Sequence, residues 1–83
     1  MKEIAYSKSA LKTLRRMPRN EAIRITGKIE QYANDPKSLA NNVKTLTGSS
    51  YIRLRIADWR VIMDDKGSVL EVLKVGPRGG VYD

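Results

Sequence analysis

The run Tyr51-Ile52-Arg53-Leu54-Arg55-Ile56-Ala57-Asp58-Trp59-Arg60-Val61-Ile62-Met63 decides how this chain folds. Apolar Ile52, Leu54 and Ile56 alternate with Tyr51, Arg53 and Arg55, the period of two that marks a strand. Ala57-Asp58 reads as a two-residue turn and Trp59 onward as the returning strand. With that turn, Arg55 is expected opposite Arg60, Leu54 opposite Val61 and Arg53 opposite Ile62. Ile52, Leu54, Ile56, Trp59, Val61 and Met63 then form an apolar wall on one side. Tyr51, Arg53, Arg55 and Arg60 take the other.

Moving outward, Asp64-Asp65-Lys66-Gly67 reads as a second turn, with Gly67 available for positive φ. Val69-Leu70-Glu71-Val72-Leu73-Lys74-Val75 is expected as a third strand of mixed faces, central and buried on both sides. Gly76-Pro77-Arg78-Gly79-Gly80 breaks the pattern before Val81-Tyr82-Asp83. On the N-terminal side the period changes to that of helices. Ala10, Leu11, Leu14 and Met17 make one apolar stripe, N-capped by Ser7 or Ser9 and ended by Pro18. Ala22, Ile25, Ile29 and Tyr32 share a face of a second helix over about Arg19–Ala33, with Ile23 and Thr26 beside it. Asn34-Asp35-Pro36 stops that helix, since the residue before a proline is pushed out of the helical region. Residues 2–6 form a short strand and residues 37–50 a polar loop. The expected architecture is α+β in the order β-α-α-β-β-β: an N-terminal strand, a helical hairpin and a three-stranded antiparallel meander, in one domain over 1–83.

Composition narrows the function. The chain has 83 residues, with 16 Lys+Arg against 9 Asp+Glu, a formal charge of +7. That excess favours nucleic acid, an acidic protein or an anionic surface as partner. Cysteine and histidine are absent, which removes thiolate chemistry, most transition-metal sites and the commonest general base near neutral pH. No metal or cofactor is expected. No apolar run approaches the ~20 residues of a membrane span. The N-terminus lacks the apolar segment of a signal peptide, so a cytoplasmic protein is expected.

Singly, each arginine on the outer face reads as solvated. Collectively they point to an anion, because like charges opposite each other on a sheet are unfavourable and an anion between them relieves the conflict. Guanidinium forks match phosphate oxygens bidentately. Arg78 sits in the glycine-rich segment after the last strand, whose expected role is to bring Arg78 and Tyr82 back over the sheet. That segment lacks the Lys-Ser/Thr of a Walker loop. Tyr51 and Tyr82 have the chemistry to stack on bases.

These residues resemble the RelE/ParE toxin superfamily over nearly the whole chain. The resemblance is carried by Asp35-Pro36, Lys44-Thr45-Leu46-Thr47-Gly48, the run from Tyr51 to Ile62, and Val75-Gly76-Pro77-Arg78-Gly79-Gly80-Val81-Tyr82. It implies a RelE-like toxin of a type II toxin–antitoxin system, with the fold of small microbial ribonucleases. It further implies an endoribonuclease that cuts mRNA in the ribosomal A site and so inhibits translation. Its implied partners are a cognate antitoxin, the ribosome and mRNA. By position, Arg53 falls where a catalytic lysine is common. Arg60 and Arg78 fall on phosphate- and transition-state-binding arginines, and Tyr82 on a C-terminal tyrosine. Arg55 matches a recurrent basic position, and Tyr51, Lys44 and Lys74 complete the RNA-contacting set. Two departures stand out: Tyr51 replaces a lysine, and Pro77 stands where many relatives have His or Lys.

Arginine stays protonated across the physiological range, so it serves as an electrostatic clamp and not as a base. The proton acceptor is left among Glu71, Asp64, Tyr82 and a group of the ribosome. The alternative within the superfamily is a ParE-like toxin that poisons DNA gyrase without cutting RNA. A DNA-binding helix-turn-helix made by the two helices, using Lys8, Lys12, Arg15, Arg16, Arg19, Arg24 and Lys28, ranks lower. A recognition helix should present polar readers, and Ala22, Ile25 and Ile29 read as core.

Overall fold

The computed structural model describes residues 2–46 and 48–79. Strand β1 (Glu3–Tyr6) leads into helix α1 (Lys8–Arg16) and helix α2 (Arg19–Asn34). A 3-10 helix (Pro36–Asn42) and a short strand β2 (Val43–Thr45) follow. Strands β3 (Tyr51–Ile56), β4 (Trp59–Asp65) and β5 (Val69–Pro77) complete the order. Among the described residues they form one five-stranded sheet, β1-β5-β4-β3-β2, in which β1 runs parallel to β5 and the other pairs are antiparallel. The expected N-terminal strand, helical hairpin and antiparallel meander are therefore present, with β1 at one edge of the sheet and the unexpected β2 at the other.

Ser7 is the residue that caps α1: its hydroxyl accepts from the Ala10 N–H at 3.0 Å. The same hydroxyl donates to the Leu73 carbonyl at 2.7 Å, and the Ser7 N–H donates to the Val72 carbonyl at 2.9 Å. Leu73 is the extra residue of a bulge, since Met63 pairs with Val72 while Ile62 pairs with Lys74. The cap thus ties the start of α1 to an irregular point of β5, satisfying a carbonyl that the ladder leaves unpaired. Met17 is extended ahead of Pro18, which separates the helices.

One apolar cluster fills the space between helices and sheet. Ala10, Leu14, Met17, Ile25, Ile29 and Tyr32 meet Ile52, Leu54, Ile56, Val61 and Met63, with Leu70, Val72 and Val75 from β5. The expected wall is thus in place, with Trp59 half-buried at its end. Ile25 and Ile29 are fully buried, the core role their spacing implied. Leu11 lies at the margin and Ile23 is 61% exposed.

Three expectations are corrected. Residues 37–50 are not all loop: Pro36 starts the 3-10 helix, and residues 43–45 pair with Leu54, Arg53 and Ile52. Three paired residues are too few for the alternation to be recognised. The strand buried on both faces is β4, not β5, because β4 is the middle strand and neighbours on either side shield its outer residues. The glycine-rich segment does not break the sheet at once, since Gly76 pairs with Arg60 and Pro77 with Trp59. Among the described residues, no helix is long and apolar enough to cross a membrane.

Candidate nucleic-acid interface

The hairpin has the register its sequence implies: Arg55 opposite Arg60, Leu54 opposite Val61 and Arg53 opposite Ile62. Alternation then arranges the face turned away from the helices into rows across the strands. Nearest the β3–β4 turn, Arg55, Arg60 and Gly76 stand side by side. The next row is Lys44, Arg53, Ile62 and Lys74. The third is Tyr51, Asp64 and Glu71. Cations therefore gather towards the turn and carboxylates towards the opposite end.

Lys44, Arg53, Arg55 and Arg60 line a shallow depression of about 260 Å³ together with Asn41, Asn42 and Val43. Among the described residues, no carboxylate lines it. Strand β2 and the preceding 3-10 helix supply one wall, which is why Lys44 reaches the arginines of β3. Asn41 and Asn42 were not singled out in the sequence. Their part depends on where the 3-10 helix ends, and no local motif announces that.

Arg60 has a second duty. It is 8% exposed, and its Nη1 donates to the carbonyls of Ala57 at 3.1 Å and Trp59 at 3.0 Å. Ala57 takes a left-handed conformation, φ 51°, at a turn position where Gly or Asn is preferred. The Arg60 side chain and the Arg78 N–H, which donates to the Asp58 carbonyl at 2.7 Å, hold this turn in place. Part of the conflict between Arg55 and Arg60 is thus relieved by the chain's own carbonyls. Ile62, 1% exposed, is buried on this outer face and lies outside the main cluster, between its register partners Arg53 and Lys74.

The remaining candidates fall around the depression. Arg78 is exposed beside the β3–β4 turn and is not among the lining residues. Lys74 is exposed on β5 in the same row as Arg53, and Tyr51 is exposed opposite Asp64. Tyr82 lies outside the described residues. Of the groups considered as proton acceptors, Asp64 is buried and accepts from the Ser50 hydroxyl at 2.6 Å. Glu71 pairs with Lys66 at 3.1 Å, and that contact raises the lysine's pKa, the hydrogen bond first and the charge second. Neither carboxylate belongs to the depression.

Fold and site together describe a small basic domain with an arginine-floored hollow on the side of its sheet turned away from α1 and α2. The family model for the ParE toxin of type II toxin–antitoxin systems, parDE, matches residues 4–82. This chain belongs to that toxin family. Solved structures agree in fold. The archaeal RelE–RelB complex from Pyrococcus horikoshii OT3 superposes with a TM-score of 0.74 at 24% identity, covering 96% of this chain and 98% of the other. The intact E. coli RelBE complex gives 0.75 at 17% identity, covering 93% and 96%. The E. coli DinJ–YafQ complex gives 0.71 at 18% identity, covering 99% and 98%. Among curated proteins, no sequence matches.

Proposed function

We propose that this toxin is a ribosome-dependent endoribonuclease that cleaves mRNA in the A site and so inhibits translation. The observation that carries the reading is the basic depression lined by Lys44, Arg53, Arg55 and Arg60. Such a set suits a phosphodiester, whose charge grows as the 2′-oxygen attacks and the phosphorus becomes five-coordinate. Arg53 and Arg55 hold the scissile phosphate, and Arg60 adds its charge from the floor while securing the turn. Arg78 approaches from the end of β5. Tyr51 and Tyr82 orient bases, and Lys44 and Lys74 take flanking phosphates.

Cationic groups stabilise the charged phosphate and protonate poorly, so they do not remove the 2′-proton. Asp64 and Glu71 are engaged with Ser50 and Lys66. The base is therefore supplied from outside the depression, by the ribosome or by Tyr82. With the ribosome as that source, the clamp alone is inert on free RNA and becomes a nuclease once the ribosome completes it, which is a physical reason for ribosome dependence. A cognate antitoxin covers the charge until release, as the antitoxin-bound relatives suggest. The chain acts in the cytoplasm as one domain, 1–83.

Cell-free translation with mapped mRNA 5′ ends tests this. The wild-type protein should cut at ribosome-occupied codons, and Arg53→Ala should slow cutting about 10²–10³-fold, the usual effect of losing one preorganised donor. Full activity in both Arg53→Ala and Arg78→Ala would remove the site assignment.

The match to the ParE family favours a second reading, poisoning of DNA gyrase without RNA cleavage. Inhibition of gyrase supercoiling with intact mRNA would select it.

A further inference from the structure

A second basic groove adjoins the first. Arg24 and Lys28 of α2, Leu39 and Asn42 of the 3-10 helix, and Leu54, Arg55, Ile56 and Ala57 at the end of the hairpin line a space of about 220 Å³. Asn42 and Arg55 belong to both hollows, and the Asn42 amide donates to the Arg55 carbonyl at 3.5 Å. Arg24 and Lys28 are four residues apart and so share one face of α2. Among the described residues, nothing acidic lines the groove. Among the described residues neither Arg24 nor Arg55 forms an ion pair, and Lys28 reaches only the Gln31 side-chain oxygen, at 3.4 Å. The nearby acid of α2, Glu21, is directed to the Trp59 indole at 3.5 Å.

We propose that this groove is a second backbone subsite, in which Arg24, Lys28 and Arg55 carry a single-stranded RNA onward from the sheet depression. The proposal rests on the RNA reading given above. Both hollows are smaller than the ~300–1,000 Å³ of small-molecule pockets, and they share a wall; that suits a polymer laid across them. Readers of single strands combine a positively charged groove that tracks the backbone with surfaces for bases. An amphipathic acidic helix would need an open apolar groove for its anchors. Here the floor residues Leu39, Leu54 and Ile56 are already buried in the main cluster, and cations and an amide dominate what remains exposed.

The test uses the full chain and 2′-O-methyl oligouridines of about 4 and about 12 nucleotides, lengths at the short and long ends of such sites. The wild type should bind the longer one more tightly. Arg24→Gln/Lys28→Gln should leave the short oligomer unaffected and weaken the long one. Two lost phosphate contacts should lower the slope of log K against log salt by about 1.4. From 50 to 200 mM salt the wild type would then lose about sevenfold more affinity than the variant. If the double variant melts early, Arg24→Gln alone, at an exposed position, should lower the slope by about 0.7.

An unchanged slope for the long oligomer, with short-oligomer binding intact, overturns the subsite and leaves the RNA reading standing. Failure to bind either length overturns both. If the substitutions weaken binding of polyglutamate and leave RNA binding as it was, the groove takes an acidic peptide and the assignment to RNA is wrong.

Discussion

The two faces of the β3–β4 hairpin are made from alternate residues of one short sequence, yet they answer to different constraints. On the helix side, Leu54, Val61 and Met63 are fully buried in a continuous apolar cluster. On the other, Arg53, Arg55 and Arg60 crowd like charges onto one face, and Arg55 directly opposite Arg60 is a pairing that stability alone does not favour. The lesson is that a strand can separate folding from function residue by residue, because neighbouring side chains never share an environment. Arg60 and Ile62 complicate that division: they lie on the functional face and are nearly as buried as the core.

The largest effect should come from the helix side. Leu54→Ala removes a fully buried side chain and should cost about 2–5 kcal/mol, whereas its neighbour Arg55→Ala should stay within about 0.5 kcal/mol. Urea denaturation of both variants checks this, and similar losses would break the contrast between the faces.

Next in size is Arg60→Ala. Removing its guanidinium leaves the Ala57 and Trp59 carbonyls without that donor, at a turn already strained by the φ of Ala57. A loss of about 1–3 kcal/mol is expected, placing Arg60 energetically with the core despite its position. A stability indistinguishable from that of Arg55→Ala would return it to the outer face. It also means that lost activity in this variant must be read beside its melting curve.

The smallest effect concerns pH. Burial, and after it the charge of Asp65, raises the pKa of Tyr32; burial and then Glu30 do the same for Tyr6. A folded-state pKa above the unfolded one gives stability that is complete below about 10 and is lost as pH rises through the folded value. Stability should therefore fall above about pH 10, and Tyr32→Phe should flatten that fall while keeping the ring in the core. Tyr6→Phe should do so as well. Parallel pH–stability curves for wild type and Tyr32→Phe would refute the link.

Much of this was readable along the chain. Alternation placed the hairpin, its register and its apolar wall correctly, because a two-residue turn leaves one pairing that buries every apolar side chain. Helical spacing found both helices, and Pro18 and Asp35-Pro36 marked their ends. The ambiguity between Ser7 and Ser9 stayed open because either could accept from the first turn. What selects Ser7 is the Leu73 carbonyl at the bulge, 66 residues away. Strand β2 escaped notice because its three residues gain their identity from β3.

Four basic residues of the candidate site were visible as types, and the convergence of Arg53, Arg55 and Arg60 followed from the hairpin register, whereas Lys44 joined them only through β2. Neither the wall built by Asn41 and Asn42 nor the double role of Arg60 could be read that way. In the sequence Arg24 and Lys28 stood out only among the seven basic residues of a low-ranked helix-turn-helix, and α2 set against the hairpin tip gives them a groove of their own. Short-range rules act on neighbours, and they were enough to specify strands, helices and which side each residue takes. The hollows are spaces between elements distant in sequence, so they exist only after long-range packing has closed the chain.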